Sequence, residues 1–247
     1  MTEPSITGVA EAGVAMRRTG YWLLRPGWSA RERERMAGEY LDGTERWALA
    51  GLTARARDDH VLGRIAMKVA VCAWLADHGI DGVDARDVTV GNDAAGRPHV
   101  RICGRRRVAA APAVSVAHRH GAAVAVAAAT GELVGIDVEV VEPRGSVFTR
   151  LALTTAEVRQ GDAAGIPRDR WVTRAWTIKE AVAKAVGTGL QGRPKDFVVQ
   201  EIDGDWALAT GPHVPGGLWV RSADEGDLVV SVVAQQDDAP AAPYRDA

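Results

Sequence analysis

An α+β protein made of two similar halves is what the sequence predicts, and three observations carry that reading. Two stretches place apolar residues at three-to-four spacing, the mark of a helix with one buried face, and each stops at a glycine, Gly79 or Gly187. Around them lie short runs of strand character bounded by turn residues. The order is helix then strands in the first part, and strands, helix and strands in the second, which suggests two related α/β halves. No residue-level repeat is visible, so this pseudosymmetry rests on element order.

Residues 1–20 read as a flexible N-terminal segment, 21–121 as the first half, 122–235 as the second, and 236–247 as a disordered tail rich in Asp, Ala and Pro. Ser29 with Glu32 is a capping-box pair ahead of a charged helix ending at Tyr40, and the run from Thr44 reads as a second helix. The first core helix is expected from Asp58 or Asp59 to His78. Val61, Leu62, Ile65, Val69, Cys72, Ala73 and Ala76 share its apolar face, and Arg64 and Lys68 lie off it. Residues 88–90 and 100–102 form a hairpin around the turn 91–96, with Pro98 forcing an extended entry to the second strand. Strands at 114–118, 122–128 and 133–141 follow as a meander, with Gly121 and Gly131 in its turns. A helix start at 154–157, a strong helix over 170–186 and strands at 197–202, 206–209, 217–221 and 228–234 complete the order.

Composition narrows the function classes. Lys and Arg total 30 against 32 Asp and Glu, so no field of one sign favours nucleic acid or an anionic membrane, and neither is expected as a partner. The most apolar run, 122–129, falls well short of the roughly 18 residues of a membrane helix, and the N-terminus lacks a signal-type apolar core. The two cysteines, Cys72 and Cys103, have neither metal-ligand nor disulfide spacing, which fits a reducing cytoplasm.

In Gly135-Ile136-Asp137-Val138-Glu139-Val140, strand alternation puts Asp137 and Glu139 on one face and the aliphatic residues on the other. Two carboxylates about 7 Å apart are either the solvated side of an edge strand or oxygen ligands for a hard ion such as magnesium. On the later helix, Trp171, Ala175, Ile178, Val182 and Ala185 form the apolar stripe, and Glu180 and Lys184 lie off it. That pair is either an ordinary stabilising surface pair or a third carboxylate with a lysine for phosphate. His118 at a strand end, and Arg97 with Pro98 in a turn, are either turn residues or donors to an anionic ligand.

These segments coincide with a family pattern. Gly96-Arg97-Pro98, Ser115-Val116-Ala117-His118, Gly135-Ile136-Asp137-Val138-Glu139 and Trp176-Thr177-Ile178-Lys179-Glu180-Ala181-Val182-Ala183-Lys184-Ala185-Val186-Gly187-Thr188-Gly189-Leu190 resemble, in order, the successive motifs of Sfp-type 4′-phosphopantetheinyl transferases of the holo-carrier-protein synthase superfamily. The last is the most diagnostic. Residues 57–71 resemble the family's first helix, so the likeness spans roughly residues 46–199. It departs from the usual pattern at Ala117, where Ser is common, and at Arg97, which stands in place of Lys.

The resemblance implies a 4′-phosphopantetheinyl transferase fold of two pseudo-symmetric α/β halves packed as an intramolecular pseudo-dimer, with the metal site in the second half. It implies magnesium held by Asp137, Glu139 and Glu180, and a phosphate contact from Lys184. Arg57, Arg97 and His118 would bind the adenosine bisphosphate portion of coenzyme A, with Pro98 beside the adenine. The implied reaction moves phosphopantetheine to a serine of an apo acyl, polyketide or peptidyl carrier protein. Glu180 would be ligand or base, and Lys184 would compensate charge. A monomer is expected. Two other readings stand beside it: a non-catalytic module binding coenzyme A or carrier protein, and a magnesium-dependent phosphohydrolase using the same carboxylates.

Overall fold

The computed structural model describes residues 15–18, 20–103, 108, 110–233 and 240. The chain divides into two compact units, Met1–Val134 and Gly135–Ala247.

In the first unit, β1 (Ala15–Arg18) and β2 (Tyr21–Leu24) precede α1 (Ala30–Tyr40), α2 (Gly43–Ala48) and α3 (Ala54–Asp77). A 3-10 turn at Ala85–Asp87 leads to β3 (Val88–Asn92), β4 (Pro98–Ile102), β5 (Ala113–Arg119) and β6 (Ala122–Ala128). Four strands form an antiparallel sheet in the order β1-β2-β6-β5, and β3 and β4 pair separately. The β5–β6 turn is His120-Gly121 with both φ positive, 48° and 73°, as a two-residue type I′ hairpin requires. Helix α3 packs on this sheet, and Ile65, Val69, Cys72 and Leu75 join Leu24, Ala123 and Ala125 in one core.

The second unit runs β7 (Ile136–Val140), α4 (Ser146–Ala152), α5 (Thr155–Ala163) and α6 (Arg168–Ala185). A 3-10 turn at Pro194–Asp196 then leads to β8 (Val198–Asp203), β9 (Trp206–Gly211), β10 (Val214–Glu225) and β11 (Leu228–Val233). Its antiparallel sheet has the order β7-β11-β10-β9-β8, with β7 at an edge and α6 packed on β11 and β7.

The units repeat one plan. From β2 in the first and β7 in the second, a strand is followed by three helices, a 3-10 turn and four strands, and it pairs with the last of them: β2-β6-β5 matches β7-β11-β10. The repeat reaches side chains that the sequence does not reveal. In the first unit the buried Lys68 ammonium meets Glu45 at 2.7 Å and donates to Tyr40 O at 2.8 Å, while Glu45 accepts Val90 N–H. Glu45 closes the capping box begun at Asp42. In the second, buried Lys179 meets Glu157 at 2.9 Å and donates to Ala152 O at 2.8 Å, while Glu157 accepts Val199 N–H and closes the capping box begun at Thr154. One lysine thus ties a long helix to the start of a short one and to the first strand that follows, in both units.

Several expectations change. The meander stops at β6, because β2 and β5 already occupy both edges of that strand; β7 pairs with β11 instead. For the same reason residues 122–128, expected in the second half, belong to the first unit. Helix α3 starts at Ala54, where the Thr53 hydroxyl accepts Ala56 N–H; its first turn is exposed and so carries no apolar period. Residues 15–18, expected to be flexible, pair with β2. The expected tail at 236–247 lies outside the described residues except Pro240, as do residues 1–14 and 19 of the expected N-terminal segment.

Candidate active site

Strand β7 supplies the first two carboxylates. Its register pairs Asp137 with Ser231 and Glu139 with Val229, and directly paired side chains share a face. Ser231 Oγ lies 2.7 Å from Thr177 Oγ1 of α6 and 2.9 Å from Ser222 Oγ, so α6 is hydrogen-bonded to the face that carries both acids. Gly135 sets the depth of that contact: a Cβ there would overlap the Ala181 carbonyl oxygen and stand 2.8 Å from Ala185 N. The two alanines are the immediate neighbours of Glu180 and Lys184, so the glycine governs how closely those side chains approach β7.

Lys184 crosses to the strand, donating to Asp137 Oδ1 at 2.8 Å and to Ile136 O at 3.1 Å. Asp137 is only 7% exposed, and its Oδ2 is buried without a hydrogen-bond partner. Burial raises the Asp137 carboxyl above the ordinary range against the pull of Lys184, and Glu139 adds to the rise. The edge-strand face is therefore no solvated one. Glu139 is paired with Arg144 at 3.1 Å. Glu180 is pushed up to about 6 by burial, then by the charges of Asp137 and Glu139, with Lys184 opposing. Lys184 thus serves the strand, so the helix-surface reading of the Glu180 and Lys184 pair does not describe it.

Among the described residues no three His, Cys, Asp or Glu side chains gather closely enough to hold a metal ion. The expected three-acid centre is drawn instead as carboxylates within electrostatic reach of one another, with Lys184 on Asp137 and Arg144 on Glu139. The donor set nevertheless suits a hard divalent cation: all oxygen ligands, an orphaned buried carboxylate oxygen, and a third acid whose charge is disfavoured by the other two.

The Glu180 shift has a direct check. In chelator-treated protein its carboxyl, followed by 13C NMR, is expected to titrate near pH 6 and to move lower in Asp137→Asn, which removes one raising charge. Because the fold holds this proton more tightly than the unfolded chain, Glu180 supports folding below the ordinary carboxylate pKa, and that support is lost as pH rises through about 6. An unchanged midpoint in Asp137→Asn would separate the two residues.

The first-unit candidates are more exposed. Arg57 pairs with Glu34 at 2.8 Å, and Arg97 pairs with Asp93 at 2.9 Å within the β3–β4 turn. Pro98 opens β4. His118 stands 3.9 Å from Asp59, beside Gly63 of α3. The buried lysines align Val69 and Ala73 of α3 with Glu180 and Lys184 of α6, so the repeated scaffold carries the acid and the lysine only in the second unit. Sequence reading missed Arg144 and the Lys179–Glu157 pair. The Thr154 and Glu157 spacing signalled a helix start, but nothing in it announces a buried lysine.

No helix among the described residues is long and apolar enough to cross a membrane. No curated protein matches the chain. Residues 133–232, which carry Asp137, Glu139, Glu180 and Lys184 but none of Arg57, Arg97, Pro98 and His118, match the family model of the 4′-phosphopantetheinyl transferase superfamily.

Proposed function

We propose that the chain transfers 4′-phosphopantetheine from coenzyme A to a serine hydroxyl of an apo carrier protein and releases adenosine 3′,5′-bisphosphate. The observation that carries this is Lys184 of α6, one turn after Glu180, bonded to the buried Asp137 on the β7 face that Glu139 shares. Magnesium, when bound by these carboxylates, supplies charge neutralisation for the pyrophosphate. Glu180 accepts the serine proton; a carboxyl raised to about 6 is a stronger base than an ordinary one and is still ionised at neutral pH. Lys184 turns from Asp137 to a phosphate oxygen as negative charge develops there. Arg57, Arg97 and His118 hold the phosphates of the nucleotide end, and Pro98 lies against its base. For Arg57 and Arg97 the exchange is cheap, since surface ion pairs of the kind they make with Glu34 and Asp93 contribute about 0–1 kcal/mol.

Incubation with coenzyme A, Mg²⁺ and a panel of apo acyl, polyketide and peptidyl carriers is expected to add one phosphopantetheine by intact mass. Asp137→Ala is expected to abolish the addition while leaving the urea midpoint close to wild type. Near-normal transfer by that variant at limiting Mg²⁺ would overturn the metal role. Phosphate release without a carrier would instead favour a phosphohydrolase, and coenzyme A binding without transfer a binding module.

A further inference from the structure

Arg144 was invisible to motif reading, and it is a largely buried cation beside the acids. Its guanidinium meets Glu139 at 3.1 Å, with the two side chains only 11% and 15% exposed. The same group lies 4.7 Å from the centre of the Phe148 ring, and that ring tilts against Trp176 at 5.1 Å. Trp176 stands one helical turn before Glu180 on α6. Glu139 at the end of β7 is therefore linked to α6 by a path of side chains, Glu139 to Arg144 to Phe148 to Trp176, that reaches the helix one turn before Glu180.

A guanidinium keeps its charge when buried, and its flat face is suited to an aromatic ring while its edge engages a carboxylate. Both surfaces are used here. Arg144 Nε is buried without a hydrogen-bond partner, so the ring and the carboxylate, rather than a cage of backbone acceptors, fix the side chain. A loose surface pair would show neither the burial nor the stacked ring.

We infer that Arg144 is a positioning residue: clamped on Phe148, it fixes the direction of the Glu139 carboxylate, so that less reorganisation is needed when the acids of β7 and α6 close on a divalent cation. The inference rests on the transferase reading of the site. Carboxylates that bind metals are commonly oriented by an outer hydrogen-bond partner, whose loss weakens binding roughly 10–100-fold. The opposite role, a resident cation that must be displaced, predicts the opposite sign.

The test is Mn²⁺ binding to the full chain, without coenzyme A or carrier, followed by electron paramagnetic resonance, together with transfer assays and urea midpoints. Arg144→Gln is expected to weaken Mn²⁺ about 10-fold or more at a near-normal midpoint, with Arg144→Lys recovering part of the loss. Phe148→Leu, which keeps the arginine and removes its ring, is expected to weaken Mn²⁺ by a smaller factor. Unchanged or tighter Mn²⁺ binding in Arg144→Gln, while wild type binds Mn²⁺ and transfers phosphopantetheine, overturns the role of Arg144 alone. Wild type that neither binds Mn²⁺ nor transfers overturns the metal reading and this inference together.

Discussion

Lys179→Met is expected to lower the unfolding free energy by about 3–5 kcal/mol, the usual effect of stranding one member of a buried ion pair. Lys179 and Glu157 are both fully buried, and the ammonium also satisfies Ala152 O and Pro194 O. Burial lowers the lysine's pKa and Glu157 pulls it back, so the charge persists through its partner. Removing the lysine leaves a carboxylate in the core with only the amides of Thr154 and Val199 to hold it. The double variant Lys179→Met/Glu157→Gln is expected to recover roughly half the loss. It removes the stranded charge while the glutamine oxygen still accepts a backbone N–H. Urea titrations monitored by far-ultraviolet circular dichroism decide it; a single-variant loss below about 1 kcal/mol would mean the pair does not carry the fold. Since Glu180 follows Lys179, the same change is also expected to disturb the acid set.

Gly135→Ala is expected to cost about 3 kcal/mol or more and, in whatever fraction still folds, about 100-fold in transfer. The added methyl meets backbone, the Ala181 carbonyl and the Ala185 amide, so no side chain can swing aside. Relief requires α6 to lift from β7, which carries Glu180 and Lys184 away from Asp137. Gly216→Ala is the control: that residue lies in β10, and a Cβ there has nothing within 4 Å. Equal stability of the two variants would show that the helix is not pressed on the strand.

The residues that announced themselves in the sequence were those whose neighbours in the chain decide their geometry. Alternation alone put Asp137 and Glu139 on one face, the Ser29 with Glu32 spacing foretold a capped helix, and residues 154–157 a helix start. The stripe of Trp171, Ala175, Ile178 and Val182 is buried as its spacing required. What stayed hidden depended on partners distant in sequence. A lysine destined for the core has the same letter as one in water, so Lys68 was placed off the apolar face and Lys179 was given no place of its own. Strand β7 was placed beside β6 because chain neighbours usually pair, whereas its partner lies near the far end of the second unit. Strands β1 and β2 and helix α4 are too short to carry a clear period. Arg144 acquires meaning only once its guanidinium is seen over the Phe148 ring, which in turn tilts against Trp176.

The doubled lysine anchors also bear on ionic strength. Mobile ions screen charges over about 8 Å in physiological salt and about 3 Å at 1 M, but only where solvent reaches. Concentrated salt therefore loosens exposed arms such as Arg35 on Glu39 and Arg193 on Asp196, and it cannot enter around Lys68 or Lys179. Each unit keeps its own brine-proof fastening.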